Sequence, residues 1–153
     1  MITIHNKQRT IKCDVEQLKK DAQTILNALK YDDYDLGILL TTNKTIRRYN
    51  KTYRHKDKPT DILSFAFHPE LKAGECIQSK YDEDKNLSDL IISLEYVRKD
   101  AEKLGIPFEH RMKVLLVHGI CHLLGYDHET DADYKVMHKK ELSLLGKLKN
   151  KSK

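Results

Sequence analysis

Hydrophobic residues recur along this chain in two periods, and each period predicts an element. Residues 2 to 12 alternate well enough for an edge strand or two. From Asp14, a side chain suited to cap a helix, the apolar positions Val15, Leu18, Ala22, Ile25, Leu26 and Leu29 step by three and four and predict a helix to about residue 30. "YDLGILLTT" then reads as a strand, and Asn43 can cap a short helix through about Lys51. After Pro59, "TDILSFAF" is rich in β-formers and predicts a strand; "LSDLIISLE" predicts another. Some twenty polar residues separate these two, a length that in a compact domain implies local structure or function.

Helical spacing dominates the second half. "SLEYVRKDAEKLG" predicts a helix stopped by Gly105, with Pro107 opening the next one, which runs to about Leu124. On that helix Phe108, Met112, Leu115, Leu116, Gly119 and Leu123 share a face, which marks it as the central buried helix. A last helix, roughly Ala132 to Lys149, places Met137, Glu141, Leu144, Leu145 and Leu148 at helical spacing and is expected to cover an outer face of the sheet.

Length and composition narrow the class. With 153 residues the chain is most simply one domain, residues 1-153, able to bury about two-thirds of its unfolded surface. A third of the residues are charged and Trp is absent, yet the recurring apolar runs separate it from disordered chains. Cys13, Cys76 and Cys121 are odd in number and lack a CxxC spacing, which argues against a disulfide framework and for a reducing compartment. No apolar run approaches the roughly 20 residues of a membrane span, and the acid-containing first thirty residues resemble neither a secretory leader nor a cleaved mitochondrial presequence. The net charge of +5 is modest, but residues 47 to 59, "RRYNKTYRHKDKP", hold six Lys or Arg against one Asp, and the tail "GKLKNKSK" adds four Lys. Such clusters suit a polyanion such as nucleic acid, or else form a solvated surface.

The stretch "VHGICHLLGYDHE", residues 117 to 129, carries the chemistry. His118 and His122 lie one helical turn apart, on one side of the central helix. Gly125 falls where the helix runs out, and a left-handed conformation there would let the chain turn back so that His128 supplies a third imidazole. Three imidazoles with a fourth position left for water describe a catalytic zinc site; a histidine pair alone would more often be accidental. The spacing HxxxHxxGxxH is that of metzincin proteases, but the glutamate those enzymes use as general base is replaced by Gly119, where a missing side chain permits close helix packing. Cys121 is expected to be a small buried thiol and Met137 a core residue, while His5, His55, His68, His110 and His138 sit in no comparable arrangement.

"HGICHLLGYDH" closely resembles the signature of the YbeY family, zinc-dependent endoribonucleases of ribosomal RNA maturation. "NKTYRHKDKPTDILSF", residues 50 to 65, resembles the family's second block, and "LSDLIIS" its strand segment, in matching order from about residue 35 to the end. The resemblance implies an α+β fold, a small mixed β-sheet with helices packed on it and the metal-binding helix central. It implies zinc, one ion per chain, held by His118, His122 and His128, and a catalytic arginine, Arg54. The implied substrate is single-stranded precursor or defective small-subunit ribosomal RNA, in ribosome maturation and quality control, with ribosomal proteins or small-subunit assembly factors as partners and no membrane. Ser88 departs from the family's glycine in "LSD", Ala66 from its proline in "SFPF", and residues 68 to 86 form a longer connection than in typical bacterial members. "HPELKAGE" in that connection is similar to eukaryotic, organelle-associated members, which implies a mitochondrial location, with the cytoplasm as the alternative.

Beside this, elementary chemistry assigns tasks. Zinc would polarise a phosphoryl oxygen and acidify water, while Arg54 could hold a phosphate bidentately or else pair with Asp57 or Asp61. Arg47, Lys51 and Lys58 could track an RNA backbone, with Tyr49 and Tyr53 available for stacking or for packing. Asp61, Asp89 and Asp127 are candidate bases, or the RNA's own 2′-hydroxyl could attack. Two other readings stay open: a non-catalytic ribosome-biogenesis factor with a structural zinc, and a zinc metallopeptidase lacking the usual glutamate.

Overall fold

Four strands and five α-helices order the described residues, 1–151, of this computed structural model, with side chains described through Lys149. Lys153 and the Lys151 side chain of the basic tail lie outside that range. The chain runs β1 (Ile2–Asn6), α1 (Val15–Ala28), β2 (Asp35–Thr41), α2 (Asn43–Arg54), β3 (Ile62–Ala66), β4 (Asn86–Ser93), α3 (Leu94–Leu104), α4 (Phe108–Leu123) and α5 (Asp131–Lys151). The sheet order is β1-β2-β4-β3. β1 and β4 flank β2 in parallel, and β3 closes the sheet antiparallel to β4, so the architecture is a mixed-sheet α+β fold.

Local chemistry accounts for the element ends. The Asp14 carboxylate accepts from the Gln17 N–H at 3.0 Å and starts α1. Gly105, at φ +67, ends α3. For α2 the expected cap is displaced by one residue: Thr42 caps the helix, and Asn43 is its first residue. The Asn43 N–H donates instead to the Glu95 carboxylate at 2.7 Å, while its side-chain oxygen accepts from the Ser93 hydroxyl at 2.7 Å. The helix also runs one turn further than Lys51, which carries Arg54 on its last residue. Of the one or two strands expected over residues 2 to 12, a single one forms; Gln8 then folds its side chain back onto Asn6 and Ile11.

Alternation along the strands divides the sheet into two faces. Leu36, Ile38, Leu40, Leu90 and Ile92 point into the main core with α1 and α4. Leu63 and Ile91 point the other way and pack with Ile46 of α2, beside Leu39, Tyr49 and Phe65. Helix α4 is buried beyond its expected face: Val117, Ile120 and Cys121 are as inaccessible as Leu116. The reason is α5. Rather than covering the sheet, as its spacing suggested, it packs on α4 and α1, because those helices already occupy that face. Helix α4 is thereby sandwiched between sheet and α5.

The long connection between β3 and β4 is partly structured. Leu71 and Ile77 pack on the core, the Ile77 N–H donates to the Tyr31 hydroxyl at 3.1 Å, and a short 3-10 turn forms at Asp82–Asp84. Just beyond it Ser88 adopts φ +74, a left-handed backbone that glycine tolerates better, at an irregularity where Leu36 pairs with Ser88 one residue out of step. The serine compensates locally: its N–H donates to the Asn86 side chain at 2.7 Å and its hydroxyl to Asp89 at 3.1 Å.

Candidate metal centre

Helix α4 delivers His118 and His122 from one side of its last two turns, as their four-residue spacing requires. Its end then reverses sharply. The Gly125 N–H bonds to the His122 carbonyl at 3.1 Å and the Tyr126 N–H to the Cys121 carbonyl at 3.1 Å, with Gly125 at φ +90. This glycine is required twice, since a Cβ there would also run into the backbone carbonyl of Leu71 in the long connection. The reversed chain brings His128 back to the helix. One ring nitrogen from each of His118, His122 and His128 lies within 4.8 Å of the others, and the Nε2 atoms of His118 and His122 are 3.0 Å apart. Bonds of about 2.05 Å to a tetrahedral zinc would set ligand nitrogens about 3.3 Å apart, so small ring adjustments would let the trio converge on one ion. An all-imidazole set suits zinc and neighbouring transition metals rather than magnesium or calcium.

The electrostatics favour a ligand over an acid. Burial, reinforced by the neighbouring His118 and His128, pushes the His122 imidazole down to about 4, so it stays neutral with its lone pair available. Burial and the nearby Glu141 carboxylate push the Cys121 thiol up to about 12. A fully buried, protonated thiol agrees with its expected packing role.

Glu141 of α5 is the residue that sequence reasoning undervalued. Its Oε2 lies 3.0 Å from Nδ1 of His118, on the side of the ring away from the cluster. One signal pointed to it: a carboxylate on a stripe otherwise made of Met137, Leu144 and Leu148, all buried. Gly119 also finds its reason. A Cβ there would lie 2.6 Å from Ile62 Cδ1 and 2.9 Å from Leu90 Cδ2, so α4 packs against β3 and β4 where the metzincin pattern would put a glutamate.

The three imidazoles line a cleft of about 950 Å³ that Arg54, Lys56, Lys58 and Asp61 also line. Arg54 pairs with neither acid considered for it. Its Nη2 donates to the Ser64 carbonyl of β3 at 2.6 Å, and its guanidinium lies 5.1 Å from the centroid of the Phe65 ring. Asp57 is taken by Arg47 at 2.7 Å, and Asp61 by Arg111 at 3.4 Å and the Ile62 N–H at 2.7 Å. Arg47 and Lys51 lie outside the cleft lining and share Asp57, whereas Lys58 lines it and is held through a 2.9 Å hydrogen bond from the buried Asn50 to its carbonyl. Tyr49 and Tyr53 stack on each other at 6.1 Å, and Tyr53 meets Phe65 edge-on. Among the candidate bases only Asp61 lines the cleft; Asp89 lies in a groove lined by Leu39 and Ile91, and Asp127 in an adjoining pocket that His122 also lines. Glu129, not singled out beforehand, lines the cleft beside His128.

A family model described as endoribonuclease YbeY matches residues 3–149. Curated relatives named "Endoribonuclease YbeY" include one from Homo sapiens, 36% identical over 147 residues that span 96% of this chain and 87% of the relative. Another, from Syntrophotalea carbinolica, is 38% identical over 151 residues, 97% of this chain and 96% of the relative. Among solved structures, the solution structure of TM1509 from Thermotoga maritima aligns with a TM-score of 0.64 at 22% identity, covering 99% of this chain and 91% of that one, a likeness of fold.

Proposed function

This chain belongs to the YbeY family of endoribonucleases, and from that premise we propose that it is a zinc-dependent enzyme that cleaves single-stranded small-subunit ribosomal RNA, acting as one domain over residues 1-153. The observation that carries this reading is that the three clustered imidazoles line the same cleft as Arg54, Lys56 and Lys58. His118, His122 and His128 hold the ion. Zinc, when bound there, supplies Lewis acidity toward water and phosphoryl oxygen. Arg54 binds the phosphate next to the scissile bond: its hydrogen bond to Ser64 occupies one Nη2 donor and leaves further N–H groups to offset charge that develops in the transition state. Lys58 follows the backbone from the same cleft, with Arg47 and Lys51 contributing to the outer field.

Ribosomal proteins or small-subunit assembly factors deliver the RNA, and the ribosome-maturation role of the family is the context. The likeness of "HPELKAGE" to organelle-associated members supports a mitochondrial site of action, with the cytoplasm as the alternative. Among the described residues no helix is long and apolar enough to cross a membrane.

Incubating the purified chain with labelled small-subunit ribosomal RNA tests the reading, with and without a chelator and beside His118→Ala and Arg54→Glu. Cleavage should disappear in each case. Cleavage indifferent to all three changes would overturn it. The product ends separate two routes: a 2′,3′-cyclic phosphate, or the 2′- or 3′-phosphate to which it opens, beside a 5′-hydroxyl marks attack by the RNA's own hydroxyl, whereas a 3′-hydroxyl beside a 5′-phosphate marks attack by water.

A further inference from the structure

We propose that Glu141 is a positioning residue of the metal centre, which orients His118 and strengthens it as a ligand, so that α5 forms part of the site. The inference rests on reading His118 as a ligand. Its geometry is independent of any ion. Oε2 of Glu141 stands 3.0 Å from Nδ1 of His118, while Nε2 of the same ring faces His122 at 3.0 Å. An ionised carboxylate can only accept, so the hydrogen bond requires the proton on Nδ1 and leaves the Nε2 lone pair turned toward the cluster. The negative charge behind the ring raises the donor strength of that lone pair, and the fixed hydrogen bond removes the rotation and tautomer exchange that a free imidazole would have to give up on binding.

Burial shows that the pair is built rather than incidental. Glu141 has only 16% of its side chain accessible and His118 27%, far from the solvent-screened contacts at the surface of this chain. Glu141 shares its helix face with Met137, Leu144 and Leu148, each no more than 2% exposed. A carboxylate on such a face is costly without a partner, and Leu at this position would complete the apolar stripe. A second consequence follows. The two residues are 23 positions apart and lie on different helices, so ion binding at His118 and docking of α5 on α4 reinforce each other.

The test uses the full chain stripped of metal and its zinc affinity, measured by competition with a chromophoric chelator, and does not depend on RNA cleavage. Glu141→Gln keeps an acceptor oxygen and loses the charge; Glu141→Leu loses both. Affinity should fall by about 10- to 100-fold, more for Leu than for Gln, and the visible bands of the cobalt-substituted protein should shift. Thermal melts of the metal-free variants report whether α5 still docks. If both variants bind zinc and give cobalt spectra like the wild type, whatever their melts show, Glu141 merely ties two helices together and the proposal fails. Should the Leu variant not fold, the isosteric Gln variant decides alone. A wild-type chain that binds zinc no better than His118→Ala would overturn the ligand reading and this inference together, whereas loss only in His118→Ala would overturn this inference and leave the ligands standing.

Discussion

Gly125 lies directly beneath the backbone carbonyl of Leu71, so close that no Cβ fits between them. The end of the histidine helix and the start of the long connection are therefore packed backbone against backbone. Replacing Gly125 by Ala combines a left-handed residue, worth about 1–2 kcal/mol, with a clash that only backbone movement relieves, worth about 1–3 kcal/mol. Gly125→Ala should lower stability by about 2–5 kcal/mol in a urea melt and weaken zinc retention as well, since His128 depends on the turn.

Restoring the metzincin glutamate should not create a peptidase. Gly119→Glu would drive a carboxylate toward Ile62 and Leu90 inside the packed interface, with overpacking and an unpaired charge together costing about 3 kcal/mol or more. Gly119→Ala should be far milder, because the gain in helix propensity of about 1 kcal/mol offsets the displacement of two side-chain tips. Chemical denaturation of the two variants distinguishes a packing role for this glycine from a catalytic one.

At Ser88 a substitution should stabilise the chain. Its φ of +74 carries a penalty that glycine avoids, and the hydroxyl contact with the exposed Asp89 is a small loss. Ser88→Gly is expected to raise stability by about 0.5–1 kcal/mol after the larger entropy of the unfolded glycine chain is counted. A thermal melt in which it lowers the midpoint would show that the Asn86–Ser88–Asp89 hydrogen bonds outweigh the strain.

The metal-free protein should weaken in mild acid. His122 titrates at about 4 when folded, against 6.5 for an ordinary imidazole. Above 6.5 both states are neutral and the residue adds no pH dependence. Below it the unfolded chain binds the proton first, so stability falls as the pH drops toward about 4 and this contribution then levels off. Stability profiles of wild type and His122→Asn, both stripped of metal, should converge or cross over this window; parallel curves would show that the imidazole is not protected.

What the sequence made legible was local. Asp14 and Gly105 mark helix ends because capping acts within one turn, and His118 and His122 fall together because a helix makes them neighbours. The layer occupied by α5 was not legible: an apolar stripe says that a face is buried and leaves open against what. Partners distant in sequence were equally hidden. Nearby acids were the natural candidates for Arg54, but tertiary folding gave those to Arg47 and Arg111 and offered Arg54 a strand carbonyl and an aromatic face. The partner of Glu141 was hidden for the same reason, since His118 lies on another helix.

The hydrogen bond from Arg54 to the Ser64 carbonyl has a colloidal consequence. β3 is the outermost strand on its side of the sheet, and an uncovered outer strand invites pairing with another chain. A guanidinium lying across that rim makes it charged and occupied, a guard against self-association. If RNA draws the same side chain away, the bound nucleic acid must take over as the cover, and the empty protein should be the more soluble when Arg54 is present than when it is Ala.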